Sequence, residues 1–421
     1  MRIVLDGLTA RISLSGCEPL LAPLAAVLGS WRFRQVETNS QLKNGTAVIS
    51  VRREQNRYRI ASPWLDEPVV EQTEVGAVFS LVAEIACAFA AENAKSLCLH
   101  CAAVESDGHL VLFPNSENAG KSTLAARLAA QGLRLFVDDV LPISENGREG
   151  VSLGIAPRLR LPLPSSAGAL FRAFTDTHRG PCDEEFLYLT LPASRLAAHG
   201  QAAPLGAAVL LDRQRSGRAT LTPLSRGPAL RQLIIQNFAP KGTSIATLDH
   251  LRRLIERTAC FTLTYSNLDE AAALLIDRFS ATHAPWRQKR ADQAGIKDRA
   301  ISIEVASDAR QSRAICFAQA TGVTLRAVGD DIFLVKPGEP PIFHLNTVAA
   351  SLWRLLERPT TLAAAIDAVR QAFPQANARQ VERDVRAVFA TLQEDGLIQV
   401  ADRQASRAAA DLARPAGTDI A

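Results

Sequence analysis

Apolar and small residues recur at spacings of three and four across 75–92 (VGAVFSLVAEIACAFAAE), with no proline, which predicts a long helix. Ahead of it, 47–51 and 58–62 read as strands around a polar turn at 53–56. Beyond it, the β-rich runs 97–105 and 109–113 are separated by Ser106-Asp107-Gly108 and predict a hairpin. A helix over 122–131 is stopped by Gly132 in a C-cap position. The run 133–143 is strand-like and interrupted only by Asp138 and Asp139, and Asn146-Gly147 marks another hairpin turn. A Pro- and Arg-rich stretch (153–164) precedes a strand at 207–212, helices at 226–238 and 248–258, a strand at 261–265 and a helix at 268–279 begun near Asn267. Residues 283–313 lose periodicity and gain charge, as a linker does. The last hundred residues form a separate pattern. A strand pair (325–335 with 342–345) leads to helices at 346–356, 361–373 and 378–395, then the cap Gly396 and a strand at 397–400. In that unit Leu352, Trp353, Leu355 and Leu356 read as core. The expected division is an α+β region 1–95, an α/β domain 96–282, a linker 283–322, a small domain 323–402 and a frayed tail 403–421.

Composition supports this division. At roughly 150 residues per domain, 421 residues suggest two to three domains. With 47% hydrophobic and 21% charged residues, a disordered chain, a collagen and a coiled-coil rod are excluded. A net charge of +4 is too mild to indicate nucleic acid. Only seven of the 47 basic residues are lysine, which reads as genomic bias toward arginine. The N-terminus lacks a basic stretch before an apolar core, and no run of about 18 apolar residues is free of charge. Neither a signal peptide nor a membrane span is therefore expected. Seven cysteines at irregular spacings (17, 87, 98, 101, 182, 260, 316) read as reduced, mostly buried thiols of a cytoplasmic protein. Cys98 and Cys101 form a lone CxxC, without the second pair a zinc site needs.

The strongest chemical signal is Asn115-Ser116-Glu117-Asn118-Ala119-Gly120-Lys121-Ser122, followed by Thr123. It joins a predicted strand to a predicted helix, the setting in which backbone N–H groups and a helix N-terminus cradle phosphates. Lys121 would reach the β/γ-phosphates and the Ser122 hydroxyl would ligate Mg²⁺. Asn115 and Asn118 stand where such loops have glycine. Asparagine is the non-glycine residue most tolerant of left-handed backbone, so the loop can still form. Asp138 and Asp139 follow the loop helix and an apolar strand. Two carboxylates there are costly unless they meet metal or donors. Adjacent strand residues point to opposite faces, so one acid can serve a metal and the other act as general base. Asp138 with Ser122 is expected at the metal and Asp139 as the base. His100, in the apolar LHCAAV, reads on its own as a hydrogen-bonded core residue.

LHCAAV, LVLFPNSENAGKSTLAARLAAQG and LRLFVDD resemble the catalytic domain of HPr serine kinase/phosphorylase and its relatives, including kinases of peptide-modification clusters such as lasso-peptide kinases. The resemblance covers roughly 95–145, more loosely the flanking segments. It implies a P-loop kinase fold that uses ATP and Mg²⁺, with phosphoryl-transfer roles for His100, Lys121, Ser122, Asp138 and Asp139. Arg158 and Arg160 fall where a phosphate- or substrate-contacting loop would lie. The C-terminal segment from LNTVAASLWRLLERP to LQEDGLI resembles a PqqD-type RiPP recognition element, a small winged helix. That likeness implies a leader peptide added as a strand to a sheet edge, against the third helix. Winged helices also bind DNA. Here Arg379, Arg383 and Arg386 are nearly balanced by Glu382, Asp384, Glu394 and Asp395, a poor phosphate-binding surface. The leading expectation is thus an ATP-dependent kinase of a hydroxyl, serine first, on a precursor peptide or small protein whose leader the C-terminal domain holds. No nucleic-acid or membrane partner is expected, and a homo-oligomer is compatible with the sequence. The alternatives are a kinase of an HPr-like carrier or small molecule, a non-catalytic ATP-binding subunit, and a packing role for the C-terminal unit.

Overall fold

The structure, a computed structural model, describes residues 1–36, 46–93, 96–115, 118–238, 243–285 and 315–401. The chain divides into two units: Met1–Gly242 with Ala246–Ala291, and Thr243–Ile245 with Asp292–Ala421.

The first unit begins with a six-stranded sheet in the order Phe33–Val36, Arg2–Leu5, Arg11–Ser15, Val48–Glu54, Arg57–Ala61, Val69–Glu71. Period-two alternation turns Ile3, Leu5, Ile12, Leu14, Val51 and Ile60 to one buried face. They share a core with Val78, Leu81 and Ile85 of the Glu74–Glu92 helix, the helix predicted at 75–92. Thr73 caps this helix by accepting the Gly76 N–H. By length and composition alone the helix could cross a bilayer, but ten of its residues are buried in this unit. One of them is Glu84, whose Oε2 accepts the Ser62 hydroxyl. Burial pushes its carboxyl above the ordinary value, and the Ser62 hydrogen bond opposes that shift.

The strands that position the site come next. The run 97–105, expected as one strand, is two: Leu97–His100 and Ala102–Ser106, broken at Cys101. The run 133–143 is likewise Arg134–Val137 and Val140–Ile143, broken at the two aspartates. The two runs lie antiparallel across the break. Ala103 is opposite Val137, Cys101 N–H donates to Asp139 O at 2.9 Å, and His100 is opposite Val140. The register shifts between Leu135 and Val137, the kind of bulge that bends a strand and re-aims its side chains. Ala102–Ser106 then turns through Asp107 and Gly108, both left-handed at φ 49° and 71°, into His109–Phe113. His109–Phe113, Ala202–Arg213 and Ala259–Tyr265 are successive parallel neighbours. The Lys121–Ala130 helix packs Leu124 and Leu128 into the core that holds Phe113, Val209 and Leu263. The Pro- and Arg-rich stretch supplies Arg158–Arg160, which pairs with Phe186–Leu189 in a three-stranded sheet that short-range pattern did not foretell.

In the second unit, Thr324–Val328, Asp331–Val335 and Ile342–Leu345 form an antiparallel meander. The helices Thr347–Leu355, Leu362–Ala372 and Ala378–Glu394 are capped by Asn346, Thr361 and Asn377. Leu352, Trp353 and Leu356 lie in the core with Ile366, Val385 and Phe389, and Leu355 packs against it half-buried. A second sheet joins Thr360–Thr361, Cys316–Gln319 and Ile398–Val400. Cys316–Gln319 falls inside 283–322, the segment read as linker. Its four half-buried residues carry no alternation, and its partners lie far along the chain, so local pattern could not reveal it. The rest of the expected linker over 286–314, and the tail from 402, lie outside the described residues.

Glu84 yields a stability test. A raised folded value means the cost of ionising the carboxyl is present above that value and vanishes below its ordinary value of 4.5. Glu84→Gln should therefore raise the Tm by a few degrees at pH 8 and give no gain at pH 4. Thermal scans with no gain at pH 8, or a gain independent of pH, would contradict a desolvated carboxylate.

Candidate active site

The loop 114–120 leaves His109–Phe113 and enters Lys121–Ala130. Asn115 clasps the neighbouring strand: its Oδ1 accepts the Leu211 N–H at 2.8 Å and its Nδ2 donates to the Leu211 carbonyl at 3.0 Å. The side chain thus copies a backbone pairing, a task glycine could not perform. Asn118 is left-handed at φ 60°, and so is Gly120 at φ 89°. A Cβ on Gly120 would lie 3.1 Å from the Tyr265 hydroxyl, so position 120 favours glycine on both counts. Ser116 and Glu117 lie outside the described residues. Lys121 begins the helix, is 7% exposed, and donates from Nζ to the Asn115 carbonyl at 2.8 Å. Ser122 and Thr123 are half-buried in the first turn.

The aspartates meet this loop from the strand break and find unlike surroundings. Asp138 Oδ2 accepts the Arg158 N–H at 2.9 Å, while its buried Oδ1 has no hydrogen-bond partner among the described residues. Burial pushes the Asp138 carboxyl up to about 6, against the lowering effects of the Arg158 N–H and the nearby Ser122 hydroxyl. Asp139 is more exposed, and His100 Nε2 lies 2.8 Å from its Oδ1. Burial acts to raise the Asp139 carboxyl too. The His100 hydrogen bond and the charges of His100, Arg158 and Lys121 outweigh it and hold the group below its ordinary value. His100 is thus not a lone core histidine. It ends Leu97–His100 directly opposite Val140, so strand register brings it to the acidic pair.

Arg158 joins the same corner. Its guanidinium lies 3.3 Å from the Phe79 ring centroid and 4.3 Å from that of Phe186, and the two rings are nearly parallel, 6.5 Å apart. Its Nη1 is buried without a hydrogen-bond partner among the described residues, so the stacking holds a cation that has not spent all its donors. Arg160 is exposed and makes no hydrogen bond or ion pair with either aspartate among the described residues. Phe79 and Phe186 escaped the sequence reading. One lies inside an apolar helix, the other in a short strand, and nothing local ties them to position 158. Cys98 and Cys101 are buried free thiols. Burial pushes Cys98 up to about 12 and also raises Cys101. The CxxC pair therefore supplies no thiolate. Among the described residues no group of three or more His, Cys, Asp or Glu could hold a metal. Asp138 and Ser122 offer hard oxygens that suit a cation completing its shell from a ligand and water.

Comparison with known proteins gives one family match. Residues 331–398 match the family described as coenzyme PQQ synthesis protein D, so the C-terminal unit carries a PqqD domain, as its sequence resemblance implied. No curated protein matches the chain. Similar solved structures include TbiB1 in complex with the TbiA(beta) leader peptide, 24% identical, covering 20% of this chain and 99% of that one, with a TM-score of 0.19. Another is the HPr(Ser) kinase/phosphatase from Coxiella burnetii, 13% identical, covering 43% of this chain and 92% of that one, with a TM-score of 0.22.

The Asn115 clasp can be tested separately from any chemistry. Asn115→Ala leaves the Leu211 backbone groups without their partner, a loss of roughly 1–3 kcal/mol. The Tm should fall by several degrees. An unchanged midpoint would show that the clasp contributes nothing to the fold.

Proposed function

We propose that the chain is an ATP-dependent kinase that transfers the γ-phosphoryl group to a hydroxyl, a serine first, of a ribosomally made precursor peptide or small protein. The observation that carries this reading is the pair of adjacent carboxylates with opposite character, set against a strand–loop–helix that presents Lys121 and Ser122. The segment 115–123 acts as the phosphate-binding loop, with the N–H groups of Asn118, Ala119 and Gly120 and the helix N-terminus facing the phosphates. Lys121 exchanges the Asn115 carbonyl for phosphate oxygen. Asp138 and Ser122 would hold Mg²⁺, a role that the buried Asp138 Oδ1, without a hydrogen-bond partner among the described residues, fits. Bound there, Mg²⁺ would supply charge neutralisation to the phosphates. Asp139, ionised at neutral pH and oriented by His100, accepts the proton of the acceptor hydroxyl. It is a weak base, which suffices where the transition state is loose. Arg158 is held stiffly by its two rings and directs free donors at the transferring charge.

The second unit acts as a winged-helix recognition element for the leader peptide, the role its PqqD domain supports. Holding the leader raises the effective concentration of the acceptor at the kinase site. A reduced cytoplasmic setting fits the free cysteines. A non-catalytic ATP-binding subunit is favoured by asparagine at positions 115 and 118 and by the negative charge of Glu117 in the loop; Lys121, Ser122, Asp138 and Asp139, all intact, favour the enzyme.

Incubation with labelled ATP, Mg²⁺ and a precursor peptide encoded beside the gene tests the proposal. Lys121→Ala should lose transfer while keeping its fold. Asp139→Asn should bind ATP but turn over about 10²–10⁴-fold more slowly. Asp138→Asn should weaken Mg²⁺-nucleotide binding instead. Transfer by Lys121→Ala near the wild-type rate would refute the site.

The leader role has its own test. Removing everything after residue 310 should raise KM for the full precursor and leave KM for a leaderless peptide unchanged. A fragment beginning at Ile315, so that it keeps the Cys316–Gln319 strand, should bind the leader in roughly the micromolar range. No binding, together with an unchanged precursor KM, would leave the second unit a packing appendage.

A further inference from the structure

The helix Arg226–Gln236 buries Ala229, Leu230 and Leu233 along one face. Helical spacing puts Gln236 on the same face, where an apolar residue would be the default. Gln236 is only 5% exposed. An amide so buried is costly unless its hydrogen bonds are made. They are made here to two separate segments. With Oε1 accepting from Gln232 Nε2 at 3.2 Å, Gln236 Nε2 donates to the His100 carbonyl at 3.0 Å and to the Asn115 carbonyl at 3.1 Å. One side chain therefore joins the strand that carries His100 to the loop that precedes Lys121.

The backbone after the helix sets up this reach. Asn237 bridges Leu99 in the antiparallel sense, and the Phe238 N–H donates to the Cys98 carbonyl at 3.0 Å. Carbonyls two residues apart on a strand face the same edge. The Gln236 amide thus takes the His100 carbonyl on the edge where Phe238 takes that of Cys98. On the loop side, the Asn115 carbonyl has a second donor, Lys121 Nζ at 2.8 Å. A carbonyl oxygen has two lone pairs and can serve both. A lysine that turns from this carbonyl to an anion would, without Gln236, leave the acceptor unpaired, a loss that opposes anion binding. With Gln236 in place the carbonyl keeps one donor, and the loop keeps its tie to the His100 strand.

We infer that Gln236 is a positioning residue: it keeps the Asn115 carbonyl satisfied so that Lys121 is released to an anion, and it fixes that loop residue to the strand carrying His100. The inference rests on the nucleotide reading of the loop. Gln236→Met keeps the side chain's length and removes both donors. Calorimetric titration of the full chain with ATP in Mg²⁺ should give a Kd about tenfold higher for Gln236→Met than for the wild type. Thermal unfolding of the ligand-free chain supplies a readout that packing alone would not move. Lys121→Ala and Gln236→Met each leave the Asn115 carbonyl one of these two donors, and the double variant leaves it neither. The double variant should therefore lose clearly more Tm than the two single losses together. Additive losses, or a Gln236→Met that binds ATP as the wild type does, would overturn the inference with the phosphate loop intact. Should Gln236→Met not fold, Gln232→Ala removes the contact that orients the amide and should raise the ATP Kd about threefold. An unchanged Kd there would overturn the inference equally. A wild type that binds no ATP would overturn the nucleotide reading itself, and the inference with it.

Discussion

The hydrogen bond from Cys101 N–H to the Asp139 carbonyl, 2.9 Å long, closes the one point where two long antiparallel runs both lose their strand character. Ladder pairing continues on either side of it, so neither run can slip. At the break itself the chain is free to turn two successive carboxyl groups toward different neighbours. A regular strand would send one of them into the apolar core, where an isolated charge is prohibitive. The break avoids this while keeping both acids on a backbone fixed by flanking pairs. The rest of the site depends on that rigidity: His100 reaches Asp139 through strand register, and Asp138 meets Arg158 and Ser122 from the other side.

The corner also explains why neighbouring identical residues differ chemically. Asp138 loses water and gains few donors, so its carboxyl rises to about 6. Asp139 stands among three cationic or hydrogen-bonding groups, so it falls. The difference comes from surroundings contributed by widely separated segments: the 74–92 helix through Phe79, the Leu97–His100 strand, the loop helix and the Arg158–Arg160 strand. The N-terminal region thus helps to build the site, because Phe79 forms one side of the stack that holds Arg158.

The loop shows how a departure from an expected pattern can be compensated. Where a glycine would leave the backbone unsupported, Asn115 ties the loop to Leu211 through two hydrogen bonds. Asn118 takes a left-handed conformation at low cost because its short polar side chain tolerates it. Two asparagines at glycine positions therefore do different work, one anchoring and one turning.

The order of helices and strands was largely legible in the sequence, because periodicity and capping are local. The 74–92 helix, the 102–113 hairpin and the three C-terminal helices lie within a few residues of where pattern placed them. Lys121, Ser122 and the aspartate pair stood out because their spacing around a strand and a helix is local too. Other features needed the folded chain. The breaks at Cys101 and at Asp138-Asp139, the Cys316–Gln319 strand, the Asn115 clasp and the Phe79–Arg158–Phe186 stack each join residues tens to more than a hundred positions apart. Sequence determined which side chains could carry charge and where the backbone would turn. Tertiary structure alone decided which carboxyl lost its water and which gained a histidine, since desolvation and hydrogen bonding depend on neighbours in space rather than along the chain.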